Sequence, residues 1–232
     1  MKNKQDEASI LSYVQKYKIN YFLSPELMDM LVLTCFKSGE YIIKNDEEMR
    51  NVYLFVEGKA KVYYSLTNGK SLLARFYTPF EFIGDVELFN YDRYICSMKA
   101  ITPVKCLALS VGQVKKNIET NSKFLVYICQ SLGKKLARFN EASAVNLLYP
   151  LNQRLAGYFL AILQEEHLNN RLVREIHTEN LSELADLLGA SYRHLTRVIK
   201  QFKDDNIIEK SGKSLKINNI EALKKLSLNI RH

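Results

Sequence analysis

The chain contains no tryptophan, and only four histidines, four cysteines and four prolines in 232 residues. Each shortage excludes something. Cys35, Cys96, Cys106 and Cys129 lie far apart with no C-x-x-C pair, so their spacing suggests neither a disulfide framework nor a zinc knuckle. Reduced, mostly buried thiols are the expectation. The histidines, His167, His177, His194 and His232, all follow residue 160, which leaves the strand-rich first half without the ligands of a metal-dependent barrel enzyme. No G-x-S-x-G elbow, Walker loop or H-E-x-x-H is present, so an enzyme is not expected. The opening MKNKQDEASI has no apolar signal region, and no later stretch offers 18 uninterrupted apolar residues. A cytoplasmic protein with no membrane partner and no metal is expected.

What is present is a 47% apolar, 25% charged composition with a net charge of +8 and a pI near 9.2. Such a chain can bury one large core or two smaller ones, and its basic balance suits a polyanionic partner without requiring one. From about Lys37 to Leu109, short runs rich in Tyr, Phe, Val and Ile alternate with Gly, Asn and Pro. This is the pattern of an antiparallel barrel or sandwich, and TNGK supplies a two-residue hairpin turn. Ahead of it, ILSYVQKYKINYFLSPELMDMLVL reads as one or two short helices, with Ser24 as N-cap and Pro25 in first position.

After Ser110 the period changes to helical. A short helix is followed by a long one over about Ser122 to Leu147, with an expected length of about 39 Å. Phe124, Ile128, Leu132, Leu136 and Phe139 recur on one stripe of it, which outruns a barrel and reads as a dimer seam. Pro150 restarts the chain, and LNQRLAGYFLAILQEE reads as the next amphipathic helix. The expected divisions are 1–110 for the sensory barrel with its leading helices, 111–147 for the short and long helices, and 148–232 for the last domain.

Within that last domain, NLSELADLLGASYRHLTRVIKQF carries two apolar helical stripes around a glycine. Asn180 and Glu183 have capping-box spacing, Gly189 suits a left-handed stop, and Ser191 offers a fresh N-cap. A helix-turn-helix over about 181–200 follows. Leu195, Val198, Ile199 and Phe202 face inward by spacing, leaving Ser191, Tyr192, Arg193, Thr196, Arg197 and Lys200 outward to meet double-stranded DNA. DDNIIEKSGKSLKIN then reads as a β-hairpin wing whose Lys210, Lys213 and Lys216 can reach phosphates.

In this order the elements resemble the Crp/Fnr superfamily of bacterial transcription regulators over nearly the whole length. The residues that carry the resemblance are FIGDVELF (Phe82 to Phe89), similar to F-I-G-E-x-x-L-F, and LADLLGASYRHLTRVIKQFKDDNII (Leu184 to Ile208). SYRHL is similar to the YeiL-type branch. The resemblance implies an α+β chain: a cyclic-nucleotide-binding-like jelly roll, a dimerisation helix and a C-terminal winged helix-turn-helix. It further implies a homodimer that reads a palindromic operator and recruits or blocks RNA polymerase, with an unidentified small-molecule effector or signal at the barrel. Tyr192 and Arg193 depart from the family's usual Arg-Glu at the start of the recognition helix, so a different operator is expected, while Arg197 matches the later base-reading arginine.

The family's nucleotide pocket would draw on Gly84, Asp85, Arg93, Tyr94, Phe139 and Asn140. Its phosphate-clamping Arg-Ser pair aligns with Tyr94 and Ile95, which offer no guanidinium, so a cyclic nucleotide is not expected. The alternatives are an iron-sulfur or redox-sensing regulator of the same fold, because the scattered cysteines could converge, and an adaptor that does not bind DNA.

Overall fold

A computed structural model describes residues 4–65, 71–168, 171–177, 181–211 and 214–227. The chain divides into two compact units, one comprising Met1–Tyr64 with Phe76–Phe139 and the other Ser65–Arg75 with Asn140–His232.

In the first unit, helix α1 (Lys4–Lys16) leads through a 3-10 turn to α2 (Pro25–Asp29), where the Ser24 hydroxyl accepts from the Leu27 amide and Pro25 opens the helix. Eight strands follow, with β5 up to Arg75 counted in the second unit: β1 (Val32–Phe36), β2 (Tyr41–Ile43), β3 (Asn51–Glu57), β4 (Ala60–Ser65), β5 (Ser71–Tyr77), β6 (Glu81–Ile83), β7 (Ser97–Ala100) and β8 (Val104–Ser110). They form two four-stranded sheets, β1-β8-β3-β6 and β2-β7-β4-β5. The arrangement is jelly-roll-like and is not a closed barrel. Strand β1 begins at Val32, inside the last two residues of the stretch that the sequence suggests as helix. VLTCF has no alternation to announce a strand, and its antiparallel pairing with β8, Val32 opposite Ala108 through Phe36 opposite Val104, decides the matter. The TNGK turn lies outside the described residues.

Helix α3 (Val111–Ile118) starts from a Ser110 cap, and α4 (Ser122–Leu148) is the long helix. Its stripe is not a single seam. Phe124 and Ile128 are fully buried inside the first unit, where Phe124 packs against Phe22 and Phe82 with ring centres 6.2 and 6.0 Å apart. Tyr127 stacks on Phe22 at 3.8 Å. Phe124 and Ile128 therefore leave the seam expected from the sequence. Both readings use the same helical period, and only the neighbouring sheet reveals which face is covered.

The second unit holds α5 (Leu151–Ile162), β9 (Gln164–Leu168), β10 (Arg171–His177), α6 (Leu181–Leu187), α7 (Tyr192–Asp204), β11 (Ile208–Ser211), β12 (Ser214–Ile217) and α8 (Ile220–Leu226). The sequence suggests that α5 continues through Glu166. Instead the helix ends at Ile162 and the QEEHL segment becomes β9, paired antiparallel with β10 from Gln164 opposite Glu175 to Leu168 opposite Arg171. Helix propensity loses here to a pairing partner, since β10 also pairs with β12 and the wing becomes a four-stranded sheet ordered β11-β12-β10-β9.

Candidate nucleic-acid interface and effector region

The turn between α6 and α7 is closed by the chain itself. The Ala190 amide donates to the Ala185 carbonyl at 2.8 Å and the Gly189 amide to the Asp186 carbonyl at 2.9 Å, with Gly189 at φ +59°. This is the paired-bond Schellman stop, and the positive φ is the reason for glycine. Ser191 then caps α7, its hydroxyl accepting from the His194 amide at 3.2 Å. Asn180, the other expected cap, lies outside the described residues.

On α7, Leu195, Val198, Ile199 and Phe202 are all buried, and Phe202 meets Phe159 of α5 with ring centres 6.5 Å apart. The opposite face is left to solvent. Ser191, Tyr192, Arg193, Arg197 and Lys200 are exposed, while Thr196 is half-buried and turns its hydroxyl back onto the Arg193 carbonyl at 3.1 Å. The first turn of α7 carries no acidic residue, and among the described residues no carboxylate holds Arg193 or Arg197. The helix dipole and two guanidinium groups therefore present positive charge from the same end. In the wing, Lys210 is exposed, whereas Lys216 is paired with Glu209 at 2.8 Å, a bond that also pulls the Glu209 carboxyl below its ordinary range. Lys213 lies outside the described residues. The structure thus brings the α7 residues onto one surface and leaves Lys216 partly engaged within its own hairpin.

The expected effector residues differ in exposure and in the partners that hold them. Gly84 sits at φ +94°, and a Cβ there would come within 2.8 Å of the Met49 side chain and 3.1 Å of Val52, so the turn needs glycine. Asp85, next to it, is fully buried and bonded by the Lys135 ammonium and by the Ser131 hydroxyl at 2.7 Å. Lys135 also donates to the Phe82 carbonyl at 2.6 Å. Arg93, in contrast, is exposed and pairs with Asp46 at 3.6 Å. Tyr94 points its hydroxyl at the Asn51 carbonyl, 2.6 Å away, and burial pushes its pKa up. Phe139 and Asn140 are exposed.

Lys135 and Ser131 escaped the sequence reading. The available signal was two polar residues on the stripe of α4 that also carries Phe124 and Ile128, since a lysine on a buried face needs a buried partner. Glu87 was also missed. Its carboxylate is nearly solvent-free, accepts from the Ile95 amide at 3.2 Å, and titrates above its ordinary 4.5 chiefly because burial disfavours its charge.

The cysteines are dispersed. Cys35 opposes Lys105 and Cys106 opposes Thr34 across β1 and β8, so the two thiols project from opposite sheet faces. Cys129 is exposed on α4 and Cys96 is half-buried. Burial raises the Cys106 thiol above its ordinary range. Among the described residues no group of three or more His, Cys, Asp or Glu could hold a metal ion, and no helix is long and apolar enough to cross a membrane.

A family model described as "Cyclic nucleotide-binding domain" matches residues 33–121, and one described as "Crp-like helix-turn-helix domain" matches residues 153–226. The chain is 32% identical over 193 residues to "Regulatory protein YeiL" of Escherichia coli O157:H7, covering 83% of this chain and 84% of that one. It belongs to the Crp/Fnr family of transcription regulators. A "CRP-like cAMP-activated global transcriptional regulator" of Mycobacterium tuberculosis is 22% identical over 189 residues, 81% of this chain and 84% of that one. Among solved structures, a putative Crp/Fnr-family regulator from Eubacterium rectale matches with a TM-score of 0.74 at 14% identity, over 90% of this chain and 100% of that one. A CRP-family regulator from Thermus thermophilus matches with a TM-score of 0.67 at 18% identity, over 84% of this chain and 97% of that one. The Crp/Fnr resemblance read from FIGDVELF and the helix-turn-helix therefore stands, as does the α+β fold class.

Two outcomes are expected from the buried carboxylates. Lys135→Ala strands Asp85 without its cation and should cost about 3–5 kcal/mol in chemical denaturation, whereas the double change Asp85→Asn with Lys135→Met should cost much less. For Glu87 the folded pKa is raised, so the folded state binds its proton more tightly than the unfolded chain. Its unfavourable contribution is absent at pH well below 4.5 and grows as pH rises toward the folded pKa. Glu87→Gln should therefore raise the thermal midpoint at pH 7 and leave it nearly unchanged below about pH 4, as differential scanning calorimetry would read.

Proposed function

We propose that this Crp/Fnr regulator binds a palindromic DNA operator as a homodimer and reads it with α7. The observation that carries the reading is the exposed pair Arg193 and Arg197 on the reverse of a completely buried apolar stripe. A bidentate arginine on guanine separates right from wrong bases by about 1–3 kcal/mol, whereas a lysine on phosphate holds every sequence alike. Arg197 is assigned to bases and Lys200 to the backbone, with Ser191 and Tyr192 flanking them and Lys213 and Lys216 on the wing. The family model for a Crp-like helix-turn-helix over this segment supports DNA binding by the unit.

For the dimer, the open face of α4 supplies Leu125, Cys129, the half-buried Leu132, Leu136 and Phe139 at spacings of four and three, and Leu136 is 63% exposed. A second copy of the same helix is the occupant such a 3.5-residue period fits, because it keeps one apolar seam facing its partner along a supercoil. Two recognition helices then meet half-sites about 34 Å apart. The signal enters at the jelly roll, and its chemical identity differs from a cyclic nucleotide: Asp85 is already satisfied by Lys135 and Ser131, and Tyr94 by Asn51. The action is cytoplasmic, on transcription and not on a substrate, with RNA polymerase as the downstream partner.

The test is quantitative. Arg197→Ala should lose about tenfold or more on a selected operator and far less on random duplex, while Lys200→Ala should weaken both equally and reduce the salt slope by about 0.9. An equal loss for both variants on both DNAs would remove the base-reading role. Leu136→Glu should convert the protein to monomer in sedimentation; a dimer unaffected by it would remove the seam.

A further inference from the structure

We infer that Arg154 is a positioning residue for DNA recognition, a clamp that fixes the helix-turn-helix from behind without touching DNA. This rests on the DNA-reading role proposed for α7.

The Schellman bonds after α6 satisfy the Ala185 and Asp186 carbonyls, and Leu188, the residue before Gly189, is left with an outward carbonyl at the negative end of the helix. Arg154, one turn into α5, donates Nη1 to that Leu188 carbonyl. Its Nε donates to the Tyr149 carbonyl at 3.1 Å, one residue beyond the end of α4. One rigid guanidinium thus ties the chain that leaves the long helix to the carbonyl that closes α6. Ser191, the N-cap of the recognition helix, lies three residues after that carbonyl.

The chemistry favours arginine at this point. Its planar fork fixes two acceptors at once, whereas lysine is a point donor that reaches one. The group is half-buried and burial pulls its pKa down, so the side chain is less open to solvent than the exposed Arg193 and Arg197. It faces two backbone acceptors at helix ends, where a cation is favoured. Releasing the clamp leaves α7 folded on its own apolar stripe but frees the turn that sets its angle. A base-reading contact is lost when its arginine shifts by about an ångström, while phosphate contacts tolerate such a shift.

The experiment uses the full chain, an operator selected from random duplexes by the wild type, and the variants Arg154→Ala and Arg154→Lys. Arg154→Ala should bind the operator about tenfold more weakly, keep its affinity for random duplex within about twofold, and keep the slope of affinity against salt. The amides of Gly189 and Ala190 should exchange hydrogen faster in the same variant. Arg154→Lys should recover about half of the lost operator affinity on a logarithmic scale, and it carries the comparison if the alanine variant does not fold. Undiminished operator preference in Arg154→Ala, or in Arg154→Lys where the alanine variant does not fold, overturns the clamp. An equal loss on random duplex with a shallower salt slope overturns it too, by making Arg154 a phosphate contact. A wild type that selects no sequence overturns the DNA-reading role itself, and the clamp with it, so the two failures are distinguishable.

Discussion

Leu195, Val198, Ile199 and Phe202 fix the orientation of everything that the second unit offers to a partner. Each is buried, and burying such a side chain contributes about 1.5–3 kcal/mol, so rotating α7 to hide its arginines would expose several of them together. The basic surface is therefore a consequence of the apolar one. Ser191 and Gly189 decide where that surface begins, by capping one helix and stopping the other. The four-stranded wing then extends the same unit from the other end of α7.

A different constraint governs the first unit. The leading helical segment, strand β6 and the beginning of α4 share an aromatic cluster in which Phe22, Phe82, Phe124 and Tyr127 meet at short ring distances. Beside that cluster lies the Asp85, Lys135 and Ser131 network, which joins the FIGDVELF turn to α4 through charge. Such a buried pair is expensive to assemble and costly to break, so it marks where the turn and the helix must stay in register. The carboxylate expected to greet a ligand is meanwhile occupied by the protein's own lysine.

The winged helix-turn-helix was legible because its signals are local. The glycine stop, the serine cap and the i, i+3, i+4, i+7 stripe of α7 all act within one or two turns, and each appears where the spacing placed it. The long helix was legible for the same reason, its expected end lying one residue from the observed Leu148. The errors occurred where a segment's state depends on a distant partner. VLTCF is a strand because β8 lies beside it, and QEEHL is a strand because β10 does. The partners of Lys135 and Glu87 became apparent only with the neighbouring turn and helix in place.

By itself the sequence determined the helical period of α4 and α7, the positions of the caps, and hence which side chains share a face. Those properties follow from about 3.6 residues per turn and from backbone geometry at Ser and Gly. The tertiary structure alone decided which face of α4 is covered, giving Phe124 and Ile128 to the first unit's core and leaving Leu136 and Phe139 outside it. It also decided that Arg154 clamps the carbonyl of Leu188, a residue 34 positions away. Periodicity places residues on a helix, but burial and hydrogen bonding depend on what another part of the chain brings against them, and that is a property of the folded whole.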